Sequence, residues 1–208
     1  RDRDIPRWYG IMWALGYLIG LKILERMFKS EGISKDWADK TFLYVLIGGI
    51  LGARFGHCFF YDWDYYSAHP LDVLKIWEGG LASHGGVVGI AIAAFLLSKK
   101  VTKKPILWII DRIVVPTGLA GGLIRLGNLF NHEILGKETT SSIGFKFLRD
   151  DSVQLEALQA TGTDDLSVAY NMIESNPDQF SSYFDQIPIR YPAQLIEAIC
   201  YFVIFAIM

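Results

Sequence analysis

Residues 121–136 read GGLIRLGNLFNHEILG and place Arg125, Asn128, Asn131, His132 and Glu133 at the end of a long apolar run. At membrane depth an ionisable side chain costs about 2.5 kcal/mol or more, and it usually faces a cavity or a partner. On a helix, Arg125, Asn128 and His132 share one face, with Glu133 beside it. Arg125 then needs an anion, and the candidates are Glu133, Glu197 and a lipid phosphate. The planar guanidinium fork suits phosphate because it donates two parallel hydrogen bonds. Glycines 118, 121, 122, 127 and 136 leave room for a ligand. The alternative is a self-satisfied polar cluster that locks helices together.

The same conflict recurs in four other stretches. In RWYGIMW, Tyr9 is a candidate lipid contact, or with Trp8 part of an interfacial aromatic belt. In GGILGARFGHCFFY, Arg54, His57 and Tyr61 share a helical face at i, i+3 and i+7. Arg54 reads equally as a phosphate ligand or as a structural ion-pair partner. In EGGLASHGGVVG, His84 sits among glycines and has the side chain best suited to proton transfer near neutral pH. In IRYPAQLIEA, Pro192 suits the first turn of a helix. That puts Arg190 just before the helix start and points Gln194 and Glu197 inward at i, i+3. Arginines, a histidine, amides and glutamates thus collect toward one half of a bundle, as a site for an anionic head group would require.

The elements that position these residues are apolar. Of 208 residues, 51% are hydrophobic, and the mean hydropathy is +0.27. Both values point to a membrane protein. Five stretches approach the roughly 20 residues a span needs: residues 8–27, 41–61, 81–98, 106–130 and 191–208. The expected fold is all-α, a polytopic transmembrane helix bundle forming a single membrane domain over residues 1–208. The lysines bordering and linking the first two spans, and those of KKVTKK after the third, place these connections in the cytoplasm. The 61–80 connection holds Asp62, Asp64, Asp72 and Glu78 against Lys75, which places it outside. The 131–187 segment carries ten acidic residues against Lys137, Lys146 and Arg149 and belongs outside too. The N-terminus is then outside, with Arg1, Arg3 and Arg7 as the dissenting charges. Residues 148–187 read as a polar, acidic insertion forming a small extracytoplasmic cap, with a disordered loop as the alternative. The chain opens on RDRD without Met and stops within CYFVIFAIM, so a trimmed chain lacking its last helices is expected.

A net charge of −2 gives nucleic-acid binding no electrostatic support. His57, His69, His84 and His132 form no HxxxH or HExxH pattern, so no metal is expected. Cys58 and Cys200 lie in apolar runs and suggest no disulfide framework. Three other functions suit intramembrane polar groups. An anion transporter predicts paired repeats, and none is evident. A protease using Ser83 or Ser98 lacks a Gly-x-Ser-x-Gly elbow. A non-catalytic lipid-binding scaffold is the third.

GGLIRLGNLFNHEILG resembles the signature of the prolipoprotein diacylglyceryl transferase family, close to G-R-x-G-N-F-x-N-x-E-x-x-G. SHGGVVG resembles that family's His-Gly-Gly segment, RWYGIMW its first-helix Tyr-Gly motif, and IRYPAQLIEA its Arg-x-Pro-x-Gln-x-x-Glu motif. Ile124, Leu129 and His132 stand where the family commonly has glycine, phenylalanine and a small residue. The resemblance implies a multi-pass enzyme of the bacterial inner membrane, working toward the outer leaflet without cofactor. Its implied partners are phosphatidylglycerol and a prolipoprotein signal peptide with a lipobox cysteine. Transfer of the diacylglyceryl group to the cysteine thiol would release glycerol phosphate. His84, Arg125, Glu133 and Arg190 would be catalytic, with His84 or Glu133 as the base. The resemblance supports Tyr9, Asn128 and Gly136 as important beside those four, whereas the division of roles is read from side-chain chemistry: Tyr9, Arg54, Asn128, Asn131, Gly136, Gln194 and Glu197 are the candidate substrate-binding residues, Glu197 by positioning Arg190.

Overall fold

The computed structural model describes residues 8–76 and 79–208. Arg1, Arg3, Arg7 and Glu78, which entered the charge argument, lie outside the described residues. The expected spans fall on five helices: α1 (Trp8–Ser30), α2 (Lys35–Phe60), α4 (Ser83–Leu97), α5 (Ile106–Phe130) and α9 (Ala193–Ile207). Lys35–Phe60, Ser83–Thr102 and Ile106–Phe130 are long and apolar enough to cross a membrane. Helix α1 has 23 residues but carries Lys22, Glu25, Arg26 and Lys29 in its second half. Helix α9 is apolar and 15 residues long. The short helices α3 (Trp63–Ala68), α6 (Gln154–Thr161), α7 (Leu166–Ser175) and α8 (Ser181–Gln186) lie in the connections. A two-residue pairing of β1 (Phe145–Lys146) with β2 (Ile189–Arg190) completes an all-α membrane architecture. The chain divides into two compact units, Ile19–Pro116 and the residues up to Leu18 together with Thr117–Met208.

In the Ile19–Pro116 unit, α2 and α4 pack through glycine. A Cβ placed on Gly48 would lie 2.7 Å from the Gly89 carbonyl oxygen and 2.8 Å from the Ala93 Cβ. One on Gly56 would lie 2.7 Å from the Gly85 Cα. Lipid tails compete equally for apolar side chains, so such helices associate by bringing backbones close, which only small residues permit. At the other end of the unit, Phe28 and Trp108 stack with centroids 5.8 Å apart, and Trp37 meets Trp108 edge-on at 6.3 Å. The Arg112 guanidinium lies 3.8 Å above the Trp108 ring and pairs with Glu31 at 2.7 Å.

In the second unit, α1 approaches α5 where Gly16 faces Ala120 and Gly127 faces Tyr9. Helix α9 covers α5 where Gly122 receives the Phe202 ring; a Cβ on Gly122 would sit 2.5 Å from that ring. Residues 148–187 enclose an apolar centre of their own. Val153, Ala157, Ala169, Tyr170, Ile173, Phe180, Tyr183 and Ile187 are all buried there. Asp165 caps α7 by accepting the Ser167 and Val168 amides at 2.7 and 3.2 Å, satisfying donors that a helix start leaves open. The Tyr183 hydroxyl donates to the Leu148 carbonyl at 2.7 Å and ties the segment to its own entry.

Candidate active site

Helix α5 brings Arg125 and Asn128 onto one face and then stops at Phe130. His132 and Ile134 take positive φ values of 57° and 55° and fold the chain back. This return lets the Glu133 amide donate to the Asn128 carbonyl at 2.9 Å. The Glu133 carboxylate then meets the helix it has just left. One oxygen accepts the Asn128 side-chain amide at 3.1 Å, and the other accepts the Asn131 amide at 3.2 Å. Asn128 is 3% exposed, and its Oδ1 faces Arg125 Nη1 at 3.5 Å. Arg125 Nε pairs with Glu197 on α9 at 2.6 Å. Gln194, one turn earlier on α9 and 1% exposed, donates to the Glu133 carbonyl at 2.5 Å. A single polar relay thus runs Glu197–Arg125–Asn128–Glu133–Asn131, with Gln194 bracing its turn.

His132 departs from the sequence expectation. Helical spacing puts it on the α5 face with Arg125 and Asn128, but the helix has ended and the left-handed residue turns the imidazole away. Its Nδ1 accepts the Arg149 amide at 3.2 Å, and its ring meets Phe147 edge-on at 5.7 Å. Burial, and then the nearby Arg149 charge, push its pKa down; Glu174 opposes them weakly.

Gly136 closes the motif for a steric reason. A Cβ there would run into the Tyr191 carbonyl group and sit 3.2 Å from the Tyr191 Cβ. The contact aligns the two chains, with Tyr191 N–H donating to the Lys137 carbonyl at 3.0 Å. Tyr9, half-buried at the start of α1, packs its backbone on Gly127, 2.9 Å from where a Cβ would stand.

Arg190 is held by groups that the sequence did not single out. It lies in β2, before the helix, as Pro192 led one to expect. Glu197, expected to position it, is taken by Arg125. Arg190 Nε and Nη2 instead donate to the two carboxylate oxygens of Asp150, the second at 3.2 Å. Nη2 also meets Ser152 Oγ at 3.2 Å and Glu138 at 3.4 Å. Burial by itself would raise the Asp150 pKa, but the hydrogen bonds from Arg190 and Ser152 outweigh it and hold the carboxyl below its ordinary range. The same bond lifts Arg190 further above neutrality. The one sequence signal for Asp150 is its Asp-x-Ser spacing, the signature of a side chain capping its own turn.

The remaining candidates, Arg54 and His84, lie in the other unit. Arg54 is 2% exposed. Its Nε donates to the Val73 carbonyl at 2.9 Å, Nη2 to Asp72 at 2.5 Å, and Nη1 to Gly79 and Gly80 at 2.6 and 3.4 Å. The fork also lies 5.0 Å from the Tyr66 ring centroid. Both sequence readings, phosphate ligand and ion-pair partner, meet the same obstacle: backbone carbonyls already occupy the guanidinium. Gly80, with φ 71°, must be glycine, because a Cβ would lie 2.5 Å from the His57 ring and 2.9 Å from Arg54 Nη1. His84 is exposed in the first turn of α4. That turn is fixed from outside the helix by the Ala82 amide, which donates to the Ala53 carbonyl at 2.9 Å. Among the described residues, no three His, Cys, Asp or Glu side chains gather as a metal site.

A family model described as prolipoprotein diacylglyceryl transferase matches residues 5–208. The chain is 41% identical over 201 residues to a protein of Porphyromonas gingivalis, covering 96% of this chain and 62% of that one. It is 40% identical over 202 residues to a protein of Chloroherpeton thalassium, covering 97% and 62%. It is 37% identical over 201 residues to a protein of Tolumonas auensis, covering 97% and 64%. Each of the three is named phosphatidylglycerol–prolipoprotein diacylglyceryl transferase. The chain spans a little under two thirds of the length of these relatives.

Proposed function

The chain belongs to the prolipoprotein diacylglyceryl transferase family, and from that membership we propose that the protein moves the diacylglyceryl group of phosphatidylglycerol to the lipobox cysteine of a prolipoprotein. The observation that carries this reading is the relay from Glu197 through Arg125 and Asn128 to Glu133, which presents a cation and a carboxylate from the ends of apolar helices.

In the proposed reaction the cysteine sulfur, as thiolate, attacks the glyceryl carbon that bears the phosphate ester. A carbon–sulfur thioether bond forms and the carbon–oxygen bond breaks. The electron pair leaves on the phosphate oxygen, and glycerol phosphate departs. Charge grows on that oxygen, so fixed cations lower the barrier. Arg125 has one nitrogen held by Glu197 and a second only loosely engaged by Asn128, so it can turn donors to the phosphate. Arg190 supplies a second cation. The thiol proton goes to a base, either His84 or Glu133. Tyr9, Asn128, Asn131, Gln194 and Glu197 line or brace the lipid site. We assign Arg54 and Gly136 to the scaffold: Arg54 is committed to loop carbonyls, and Gly136 to its close contact with Tyr191. We infer that the enzyme works in the bacterial inner membrane, N-terminus outside, with its site toward the outer leaflet.

The test is transfer of labelled phosphatidylglycerol to a lipobox peptide by the full-length protein, beside Arg125→Ala. Thioether product that falls by about a hundredfold or more in the variant is expected, as for loss of a charge-stabilising group. No product from folded full-length protein would sink the transferase and favour anion transport. His84→Gln and Glu133→Gln, run in the same assay, decide the base: the variant of the true base loses transfer, and full activity in both removes both assignments.

A further inference from the structure

Asp150 is a buried carboxylate that accepts four hydrogen bonds. It is 2% exposed. Its Oδ2 accepts the Arg190 Nε–H, and its Oδ1 accepts Arg190 Nη2–H at 3.2 Å. Oδ1 also accepts the Ser152 amide at 2.9 Å and the Ser152 hydroxyl at 2.7 Å. The backbone of Arg190 is fixed as well. It pairs with Phe145 of β1 on one side and with Glu138 on the other.

Two contacts to one anion define the plane of a guanidinium, where a single contact would leave it free to swing. Exposure separates the two carboxylates near Arg190. The Glu138 side chain is 66% exposed and stands 3.4 Å away, a geometry that holds an arginine weakly. Asp150 has left water behind, so its charge has to keep its partner. Ser152 holds the Asp150 carboxylate through its amide and hydroxyl, and the same hydroxyl meets Arg190 Nη2 at 3.2 Å, so the three groups are fixed together. Arginine, strand and insertion are thereby held as one piece.

The geometry points to Asp150 as the positioning residue for Arg190, setting the plane in which the guanidinium meets the departing glycerol phosphate. This rests on the transferase reading above. Asp150 touches no reacting atom; it acts only through Arg190. The polar insertion is then a working part of the reaction, since its first turn sets the aim of a cation contributed by the strand before α9. An asparagine at 150 would keep the volume but offer one oxygen and present an N–H to the arginine, so the fork would rotate.

The experiment is steady-state transfer from phosphatidylglycerol to a lipobox peptide by full-length protein, comparing wild type, Asp150→Asn, Arg190→Lys and the double variant. Each is first checked for a wild-type melting curve and size-exclusion profile. Misaimed groups of this kind lose about tenfold to a hundredfold in kcat. That loss is expected for Asp150→Asn, with KM for phosphatidylglycerol changed by less than about threefold, because the interaction matters in the transition state. The double variant should be no slower than Arg190→Lys alone. Wild-type kcat in folded Asp150→Asn, or losses that multiply in the double variant, would overturn the inference while leaving the transferase standing. If Asp150→Asn does not fold, Ser152→Ala takes its place. It removes a contact to both Asp150 and Arg190 and should lower kcat by about threefold to tenfold at constant KM. An unchanged kcat there would overturn the inference too. A wild-type protein that transfers nothing would remove the transferase reading and this inference together.

Discussion

Arg125 has two carboxylates nearby in its motifs, Glu133 and Glu197, and pairs with the one 72 residues away on α9. The apolar flanks make the need for an anion legible, but not the choice between the two. That choice depends on the turn after Phe130, where two left-handed residues swing Glu133 back to the amides of Asn128 and Asn131. Neither His132 nor Ile134 advertises a positive φ, so helical spacing alone carries His132 onto a helix that has already ended. Its actual place gives a pH prediction. The folded pKa of His132 lies below the ordinary value of about 6.5. Between the two values the unfolded chain binds more protons, so stability is complete above pH ~6.5 and falls as the pH drops from there toward the folded pKa. Melting temperature measured in detergent from pH 8 to pH 5 should therefore decline. In His132→Asn that decline should flatten, because asparagine tolerates positive φ and its side-chain oxygen can still accept the Arg149 amide. An equal decline in both proteins would show that His132 does not carry the effect.

The crossing of α2 and α4 is the element most open to reading in advance. Glycines at 48, 52 and 56, and at 85 and 89, recur every fourth residue and mark faces where backbones meet. Gly89 faces Gly48 and Gly52 so closely that a methyl group has no space. Gly89→Ala should cost about 1–3 kcal/mol, the usual penalty for overpacking, and lower the melting temperature. Gly10→Ala, where a Cβ would meet nothing within 4 Å, should leave it nearly unchanged. Equal melting of both variants would contradict the packing described. The pairing of β1 with β2 was illegible by contrast. Two residues in each strand give no alternation to detect, and Asp150 lies 40 residues from the arginine it grips. Arg54 was half legible: its burial could be inferred, but loop carbonyls as its partners have no signature in composition.

For the whole molecule, apolar length identified the class, since stretches near 20 residues leave few alternatives to a membrane bundle. The proposed orientation rests on charge. Lys99, Lys100, Lys103 and Lys104 stand at one end of α4, and the acidic residues of the insertion follow α5. With Cys58 and Cys200 replaced, a cysteine at Asp164 should react in intact cells with a membrane-impermeant maleimide. A cysteine at Lys103 should react only after the membrane is opened. Both positions are exposed in the structure. The opposite labelling pattern would invert the topology and move the proposed site to the inner leaflet.

The clamp on Arg54 also constrains the order of events during synthesis. The carbonyls that satisfy its guanidinium come 18 to 26 residues later in the chain. Until the following loop folds back, its carbonyls cannot reach the guanidinium, and an uncompensated arginine resists entry into hydrocarbon. α2 is therefore expected to settle at its final depth only once that loop has folded back onto Arg54.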